Sequence, residues 1–230
     1  IFLTGKNKFS KTYRFTDINY AVASRDDKAG MFLGYSELLN SLDSGCTAKI
    51  TINNRRLNML DFKERVLIPM RNDPLDIYRQ EYNDMLKKQV SAGRNDIQKE
   101  KYITLTINAE NIEEAKSIFA RLENETLGLL RRIGSQGKVL GIKERLELLH
   151  DVYRRGREGE FSYEPRVSKR NGAVSKDAVA PESFEFKRDY MLVGDSYARS
   201  VFIKDLPAFI NDTLLGELTD FSVNMLLSIN

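Results

Sequence analysis

The sequence predicts an α+β protein in which a mixed or antiparallel sheet is covered by helices. Three observations support this prediction: alternating apolar and polar residues typical of half-buried strands, helical apolar stripes between them, and capping residues where helices begin. The clearest case is residues 19–56, which indicate a strand, a helix and a second strand. A second strand-helix-strand unit near residue 230 favours a duplicated split βαβ (ferredoxin-like) arrangement.

The helix of the first unit has recognisable ends. Ser24 and Asp27 have the spacing of a capping box, and Gly45 suits a left-handed stop. The expected apolar stripe of this helix comprises Phe32, Tyr35, Leu39 and Leu42, and the flanking strands are expected at residues 18–23 and 48–53.

The middle of the chain predicts further helices and one strong strand. Asp73 before Pro74 marks the start of a surface helix with one buried face. The apolar stripe of that helix comprises Leu75, Tyr78, Tyr82, Met85 and Val90. Residues 101–108 alternate most regularly and predict a strand, Asn111 caps a long helix after it, and residues 142–155 predict another helix.

Changes in composition suggest how the chain is divided. Residues 1–14 are expected to form a solvated N-terminal arm, and residues 15–156 the main α+β lobe. Residues 157–183 are polar and basic and predict a flexible loop. Residues 184–230 form a second lobe, with a hairpin around Gly194-Asp195, a helix and a terminal strand.

Composition excludes several classes of protein. The 36 Lys and Arg residues against 33 Asp and Glu give a net charge of +3, too small by itself to indicate a protein that wraps nucleic acid. The single cysteine, Cys46, suits a reducing, cytoplasmic location. Apolar runs are far shorter than the roughly 20 residues that span a bilayer. Because the sequence begins with Ile1 and finishes in an apolar run, we expect a fragment of a longer protein.

Motifs for chemistry are missing from the sequence. Gly137-Lys138 lacks the leading Gly and the trailing Ser or Thr of a phosphate-binding loop, and Gly5-Lys6 fails in the same way. His150-Asp151 resembles a metal-dependent phosphohydrolase dipeptide, but the chain has one histidine, which we expect to be a packed or surface residue. We therefore predict no catalytic, cofactor-binding or metal-binding residues, although carboxylate-only chemistry stays open.

Basic residues are the remaining candidates for a site. They could contact phosphates, acidic headgroups or an acidic protein surface, or they could simply be a solvated helix end and loop. The candidates are Arg55, Arg56, Arg154, Arg155, Arg157, Lys169 and Arg170. Aromatic residues among them would favour nucleic acid, but most Phe and Tyr residues fall on apolar stripes, so we expect them in the core.

Several stretches resemble a known family. These are residues 15–27, 35–43 and 49–56, followed by 148–154 and by 194–199 with Pro207 after it. They are similar to the N-terminal region of the CagE/TrbE/VirB conjugation ATPases of type IV secretion systems, in particular the TraE-like versions of Gram-positive conjugative transposons. The resemblance covers nearly the whole chain.

The resemblance implies a function that none of the motifs shows. In the family, a C-terminal domain with Walker A and B motifs hydrolyses ATP with Mg²⁺, and neither motif is present here. The N-terminal domain is thought to dock the motor to inner-membrane channel components and other subunits. The resemblance thus implies a non-catalytic docking domain, cytoplasmic and peripheral to the inner face of the cell membrane.

Two other interpretations remain open at the level of sequence. The basic loop and helix end could guide the transferred DNA strand, which would make the chain a DNA-contacting module. A stand-alone enzyme that uses carboxylates is the third interpretation. For the docking domain, the resemblance implies other type IV secretion subunits as partners and self-association in the full-length motor.

Overall fold

The protein, represented by a computed structural model, has the predicted α+β fold with antiparallel strands. The structure describes residues 1–56, 66–91, 97–157, 160–164, 175–205, 208–209, 214–219 and 225–229, without the side chains of residues 55, 56, 89–91, 97 and 215. The helices in these ranges are α1 (Arg25–Asn40), α2 (Asp76–Ser91), α3 (Ile112–Arg132), α4 (Ile142–Tyr153) and α5 (Leu214–Thr219). The strands are β1 (Phe2–Gly5), β2 (Lys8–Phe15), β3 (Cys46–Arg56), β4 (Ile97–Asn108), β5 (Gly137–Val139), β6 (Phe184–Phe186), β7 (Met191–Val193), β8 (Ser196–Ala198) and β9 (Met225–Ile229).

The chain divides into two compact units. Unit 1 comprises residues 1–52, 100–145 and 227–230, and unit 2 comprises residues 53–99 and 146–226. This division differs from the predicted lobes, because residues 53–99 and 146–156 were expected in the main lobe. None of the helices in the described ranges is long and apolar enough to cross a membrane.

Unit 1 is built on a sheet with the strand order β1-β2-β4-β3-β9, and β5 also pairs with β2. The strands β5, β2, β4 and β3 are therefore neighbours in that order, with α1 between β2 and β3 and α3 between β4 and β5. This is the order of one split βαβ arrangement. The expected duplicate is not formed by the described residues, since β6, β7 and β8 make a separate antiparallel sheet.

Strand β2 corrects the prediction of an N-terminal arm. Its residues pair antiparallel with β4 from Lys8 opposite Asn108 to Phe15 opposite Lys101. Phe9 and Tyr13 are buried in the core. The charged residues Lys8, Lys11 and Arg14 hid the alternation in the sequence; Lys11 is satisfied by an ion pair with Glu123 of α3.

The strand predicted at residues 18–23 is absent. These residues form a turn instead, in which the amide of Tyr20 donates to the carbonyl of Ile18 at 2.8 Å. Val22 is 78% exposed, so the alternation there has no neighbouring strand or core to bury one face.

The core of unit 1 lies between α3 and the sheet. The long helix predicted after Asn111 is confirmed as α3. Its residues Ala115, Phe119, Leu122 and Leu129 are buried, and they pack with the buried residues of β4, Ile103, Leu105 and Ile107. The Asn111 side chain accepts from the amide of Glu114 at 2.9 Å, as expected of an N-cap. Gly134, with a φ of 87°, closes the other end.

Helix α1 begins where the sequence predicts, but most of its predicted buried stripe is exposed. The Ser24 hydroxyl accepts from the amide of Asp27 at 3.2 Å. The helix already finishes at Asn40, before Gly45. Phe32, Tyr35 and Leu39 of the predicted stripe are 67%, 39% and 40% exposed. Leu42 is partly buried against the core, and the buried residue of the helix itself is Leu38.

Gly34 allows α1 to approach α3. A Cβ atom at this position would lie 2.3 Å from the Cγ2 atom of Ile133, whereas one at Gly30 of the same helix would meet nothing within 4 Å. Two ion pairs, Arg132 with Glu37 and Arg121 with Asp43, also connect α3 to α1 and the residues after it. Their side chains are more than half exposed, so they contribute little to stability.

Unit 2 contains α2, most of α4, α5 and the small sheet. The predicted turn at Gly194-Asp195 is confirmed: it joins β7 to β8, and Gly194 has a φ of 58°, which favours glycine in a two-residue hairpin. Strand β6 adds to β7 with Phe184 opposite Val193. Of the predicted flexible loop, residues 158–159 and 165–174 lie outside the described residues, and Val179 is buried.

The first prediction concerns the approach of α1 to α3. Because Gly34→Ala forces Ile133 to move, we expect the free energy of unfolding to fall by about 1–3 kcal/mol. Gly30→Ala is the matched control and should raise it by about 0.5–1 kcal/mol through helix propensity. Urea denaturation measures both, and equal stabilisation by the two variants would contradict the close approach.

A second prediction concerns pH. The Lys138 side chain and the Gly141 amide bind the Glu144 carboxylate and hold its pKa below the ordinary value. A lowered folded-state pKa stabilises the protein above the unfolded-state pKa, and that stabilisation is lost as the pH falls through the folded-state value. Since the side chain is 38% exposed, screening limits the effect, and Glu144→Gln should cost about 0.5 kcal/mol at pH 7. The difference from the unchanged chain should vanish in acid; a pH-independent loss would contradict the prediction.

Candidate functional site

The arginines that follow α4 form the candidate site, which lies within unit 2. The backbone amide of Arg154 donates a helical hydrogen bond to the His150 carbonyl at 2.7 Å. Arg155 and Arg157 follow directly. The segments around these arginines are the Gly194-Asp195 turn, residues 180–182 and the second half of β3, so the structure gathers positions that are far apart in sequence.

Arg155 binds the buried part of β3. Its guanidinium donates to the Asn54 carbonyl at 3.1 Å and to the Oδ1 atom of Asn53 at 2.9 Å. Both asparagines are fully buried, and Asn54 also donates through Nδ2 to the Thr219 carbonyl at 2.7 Å. Arg155 is therefore a structural link between the end of α4, β3 and α5.

The other two arginines also have partners inside unit 2. Arg154 donates through Nε and Nη2 to the Ala180 carbonyl at 2.9 and 2.7 Å. Arg157 pairs with Glu182 at 2.9 Å and with Asp195 at 3.2 Å. The hydrogen bond that Arg157 donates to Glu182 is the main reason why the pKa of Arg157 lies above its ordinary value.

A small cavity lies among these residues. It encloses about 30 Å³, roughly the share of one water molecule in the liquid. Its walls are formed by Tyr153, Arg154, Arg155, Arg157, Pro181, Glu182, Val193, Gly194, Asp195 and Ser196. At this size the cavity fits a bridging water and does not fit a nucleotide.

The structure brings together three of the seven predicted basic candidates. Arg154, Arg155 and Arg157 lie around the cavity and bind acceptors of the chain itself. The side chains of Arg55 and Arg56, at the end of β3, fall outside the described part of the chain, as do Lys169 and Arg170 entirely.

His150 and Asp151 are buried residues in unit 2, 2% and 1% exposed. The Nδ1 atom of His150 lies 3.6 Å from the Oδ1 atom of Asp151, and its ring centroid is 5.4 Å from that of Phe161. Of the two expected placements for His150, the packed one is found. Among the described residues there is no group of three His, Cys, Asp or Glu side chains arranged to hold a metal.

The face of α2 that the sequence predicts to be buried is exposed in the structure. Four residues of its predicted buried stripe are exposed: Leu75 by 56%, Tyr78 by 67%, Tyr82 by 48% and Met85 by 45%. We call these four residues the α2 apolar stripe. The available signal was the second set of positions at helical spacing, Asp76, Arg79 and Asn83, which is polar and is hydrogen-bonded to residues 68–76.

The expectation that the aromatic residues are mostly in the core is therefore wrong for a definite subset. Besides Phe32 and the two tyrosines of the α2 apolar stripe, Phe186 is 75% and Tyr197 77% exposed on the small sheet. These rings are available for contacts with a partner.

The chain matches no protein-family model and none of the curated proteins with which it was compared.

The third prediction tests the structural role of Arg155. Arg155→Ala leaves two buried acceptors without this donor, so the free energy of unfolding should fall by about 1–3 kcal/mol. Arg155→Lys should recover only part, because an ammonium lacks the planar fork that reaches both acceptors. Lys143→Ala, an exposed change on the same helix, is the control for chemical denaturation. Wild-type stability of Arg155→Ala would mean that the guanidinium is free to bind a ligand.

Proposed function

We propose that this chain is a non-catalytic N-terminal assembly and docking domain of a conjugative-transfer (type IV secretion) ATPase. In this role it contacts inner-membrane channel components and other motor subunits during DNA transfer, at the cytoplasmic face of the membrane. The observation that carries the proposal is the α2 apolar stripe, a row of exposed apolar side chains on α2 and on Leu75 directly before it.

An exposed apolar row of this kind supports docking on physical grounds. Apolar residues scattered singly over a surface are ordinary, but a contiguous row marks a place where another molecule is expected to exclude water. Tyrosine and methionine are also common at binding surfaces, since a phenol has both an apolar ring and a polar end and a thioether adapts to its neighbours.

The sequence supports the assignment to a conjugation motor through the similar stretches described above, which include residues 15–27 and 194–199. The first stretch runs from Phe15 of β2 through the loop before α1 into the start of that helix, and the second contains the turn after β7 and strand β8, so both concern the scaffold. ATP and Mg²⁺ belong, on this proposal, to a C-terminal motor domain with Walker motifs.

The alternative of a DNA-contacting module is less well supported. Phosphate binding requires cations that are free to replace counterions. Arg154, Arg155 and Arg157 are instead bound to carbonyl, amide and carboxylate oxygens of unit 2. The docking proposal does not depend on these arginines.

The fourth prediction tests docking with membranes. The purified chain should be retained severalfold more on membranes from cells that carry a conjugative type IV secretion system than on membranes from matched cells without it. Crosslinking and mass spectrometry should then identify channel subunits as the bound partners. Equal retention on the two kinds of membrane would contradict the docking function.

Binding to single-stranded DNA separates the docking proposal from its alternative. Titration of a labelled oligonucleotide at about 50 and 200 mM salt should give weak binding with a shallow salt dependence. A steep loss of affinity with salt would favour the DNA-contacting module. Hydrolysis of ATP that persists through repurification would contradict the non-catalytic assignment.

A further inference from the structure

Arg145, the fourth residue of α4, lies on strands β1 and β2 within unit 1. Its guanidinium donates to the Ser10 carbonyl at 3.0 Å and to the Ser10 hydroxyl at 2.7 Å. The central carbon of the guanidinium is 4.2 Å from the centroid of the Phe2 ring. Because Phe2 is directly opposite Ser10 in the pairing of the two strands, one cross-strand pair holds the position of this cation.

The charge of Arg145 is not balanced by an acid in the described part of the chain. Both acceptors of its side chain are neutral oxygens of Ser10. Glu144, beside it in the helix, binds a lysine and a backbone amide instead. By contrast Arg79, which is also partly buried, binds two carboxylates. Arg145 is thus a partly buried cation that has no counterion among the described residues.

A charge in this position is costly for the protein on its own. Removing a cation from water is unfavourable unless an opposite charge compensates, and burial lowers the pKa of Arg145 to about 10. The group nevertheless stays charged at neutral pH. A cation near the start of a helix is also opposed by the helix dipole. An anion that bound to Arg145 would offset both of these costs.

The guanidinium has donors left for such an anion. An arginine side chain has five N–H groups, and the hydrogen bonds to Ser10 use two of them. The other three have no acceptor in the ranges that the structure describes. Ser10 fixes the plane of the guanidinium and Phe2 covers one of its faces. Little side-chain entropy is therefore lost when a ligand binds to the remaining donors.

The charge at this site matches a carboxylate better than a phosphate. Arg145 supplies one uncompensated charge, because Lys11, the other cation nearby on β2, is paired with Glu123. A carboxylate carries one negative charge, and its two oxygens fit two N–H groups of the planar fork. A phosphate monoester carries nearly two charges at neutral pH and offers three oxygens, more than one arginine can neutralise.

We propose that Arg145, held by Ser10 and Phe2, is a binding site for a carboxylate group. The carboxylate belongs to an Asp or Glu side chain of a protein partner or to a small carboxylic acid, which share the chemistry that the site recognises. This inference goes beyond the docking function and does not depend on it. The site lies in unit 1 and uses neither the α2 apolar stripe nor the arginines that follow α4.

Nitrogen-15 NMR of the arginine Nε–H groups tests the site in the unchanged chain. The signal of Arg145 is the one that is lost in Arg145→Lys. Titration with acetate, with the ionic strength held constant by chloride, should shift this signal along a saturable curve. The dissociation constant should be at least tenfold lower than at Arg188, an exposed arginine for which the described residues supply no partner.

Substitutions around Arg145 test how the site is held. Ser10→Ala removes one of the two acceptors that orient the guanidinium, so acetate should bind severalfold more weakly. Phe2→Leu removes the ring contact and should act in the same direction; it serves as a second variant if Ser10→Ala does not fold. Ser44→Ala, at an exposed serine of unit 1, is the matched control and should bind acetate as the unchanged chain does.

Two further ligands define the chemistry and its source. Inorganic phosphate should bind Arg145 no more tightly than acetate. A short peptide with one glutamate and both ends capped is compared with its glutamine version, which should not bind. Tighter binding of the glutamate peptide than of acetate assigns the carboxylate to a protein partner, and weaker binding assigns it to a small acid.

Three outcomes would overturn the inference. The first is an Arg145 signal that responds to acetate no more strongly than that of Arg188. The second is tighter binding of phosphate than of acetate, and the third is unchanged acetate binding in folded Ser10→Ala and Phe2→Leu. Retention on membranes is measured separately, so failure of this site leaves the docking function standing, and failure of docking leaves the site standing.

Discussion

The packing of α3 on strands β2 and β4 is the interaction on which unit 1 depends. Phe119, Leu105 and Tyr13, the first two wholly apolar, have no exposed surface and meet at the centre of this layer. Burial of large side chains supplies the main favourable free energy of a domain of this size. The positions of α1 and β5 then follow, because α1 packs on α3 and β5 bonds to β2.

In the described part of unit 2, polar contacts connect several of the segments. Arg155 binds β3, Asn83 binds the backbone at Ile68, and Arg79 holds the two acids before it. Such contacts fix direction, since each hydrogen bond requires one geometry, whereas apolar packing tolerates small rotations.

Local signals explain how much of the fold the sequence predicts. Caps at Ser24 and Asn111 act within three residues, so both helix starts are correct. The helical spacing of apolar residues also predicts the α2 apolar stripe correctly as one face of a helix. Whether an apolar stripe is buried depends on the rest of the fold, which is why the prediction that the α2 apolar stripe is buried is wrong. The same reason explains why the cations of Arg154 and Arg155 could not be known to have partners within the protein.

The strand errors have a related cause. A period of two over six residues occurs at 18–23 without any partner strand, while the real strand β2 carries charged residues that obscure its period. Ser10 and Thr12, on its second face, are buried but polar, and they are satisfied by Arg145 and Thr104. Long-range pairing, which the sequence pattern does not contain, makes β2 a strand.

The place of β2 in the sheet also affects the order in which unit 1 can form. Lys8 bonds opposite Asn108 and Tyr13 opposite Val139, so the partners of this strand are synthesised roughly 100 residues after it, a separation that slows folding. Until then the edge of β2 that pairs with β4, and the Tyr13–Phe15 part of the edge that it shares with β1, are open to other extended chains. Unit 1 is thus completed late during translation. Its assembly requires that β2 does not pair with other extended chains before β4 and β5 have been synthesised.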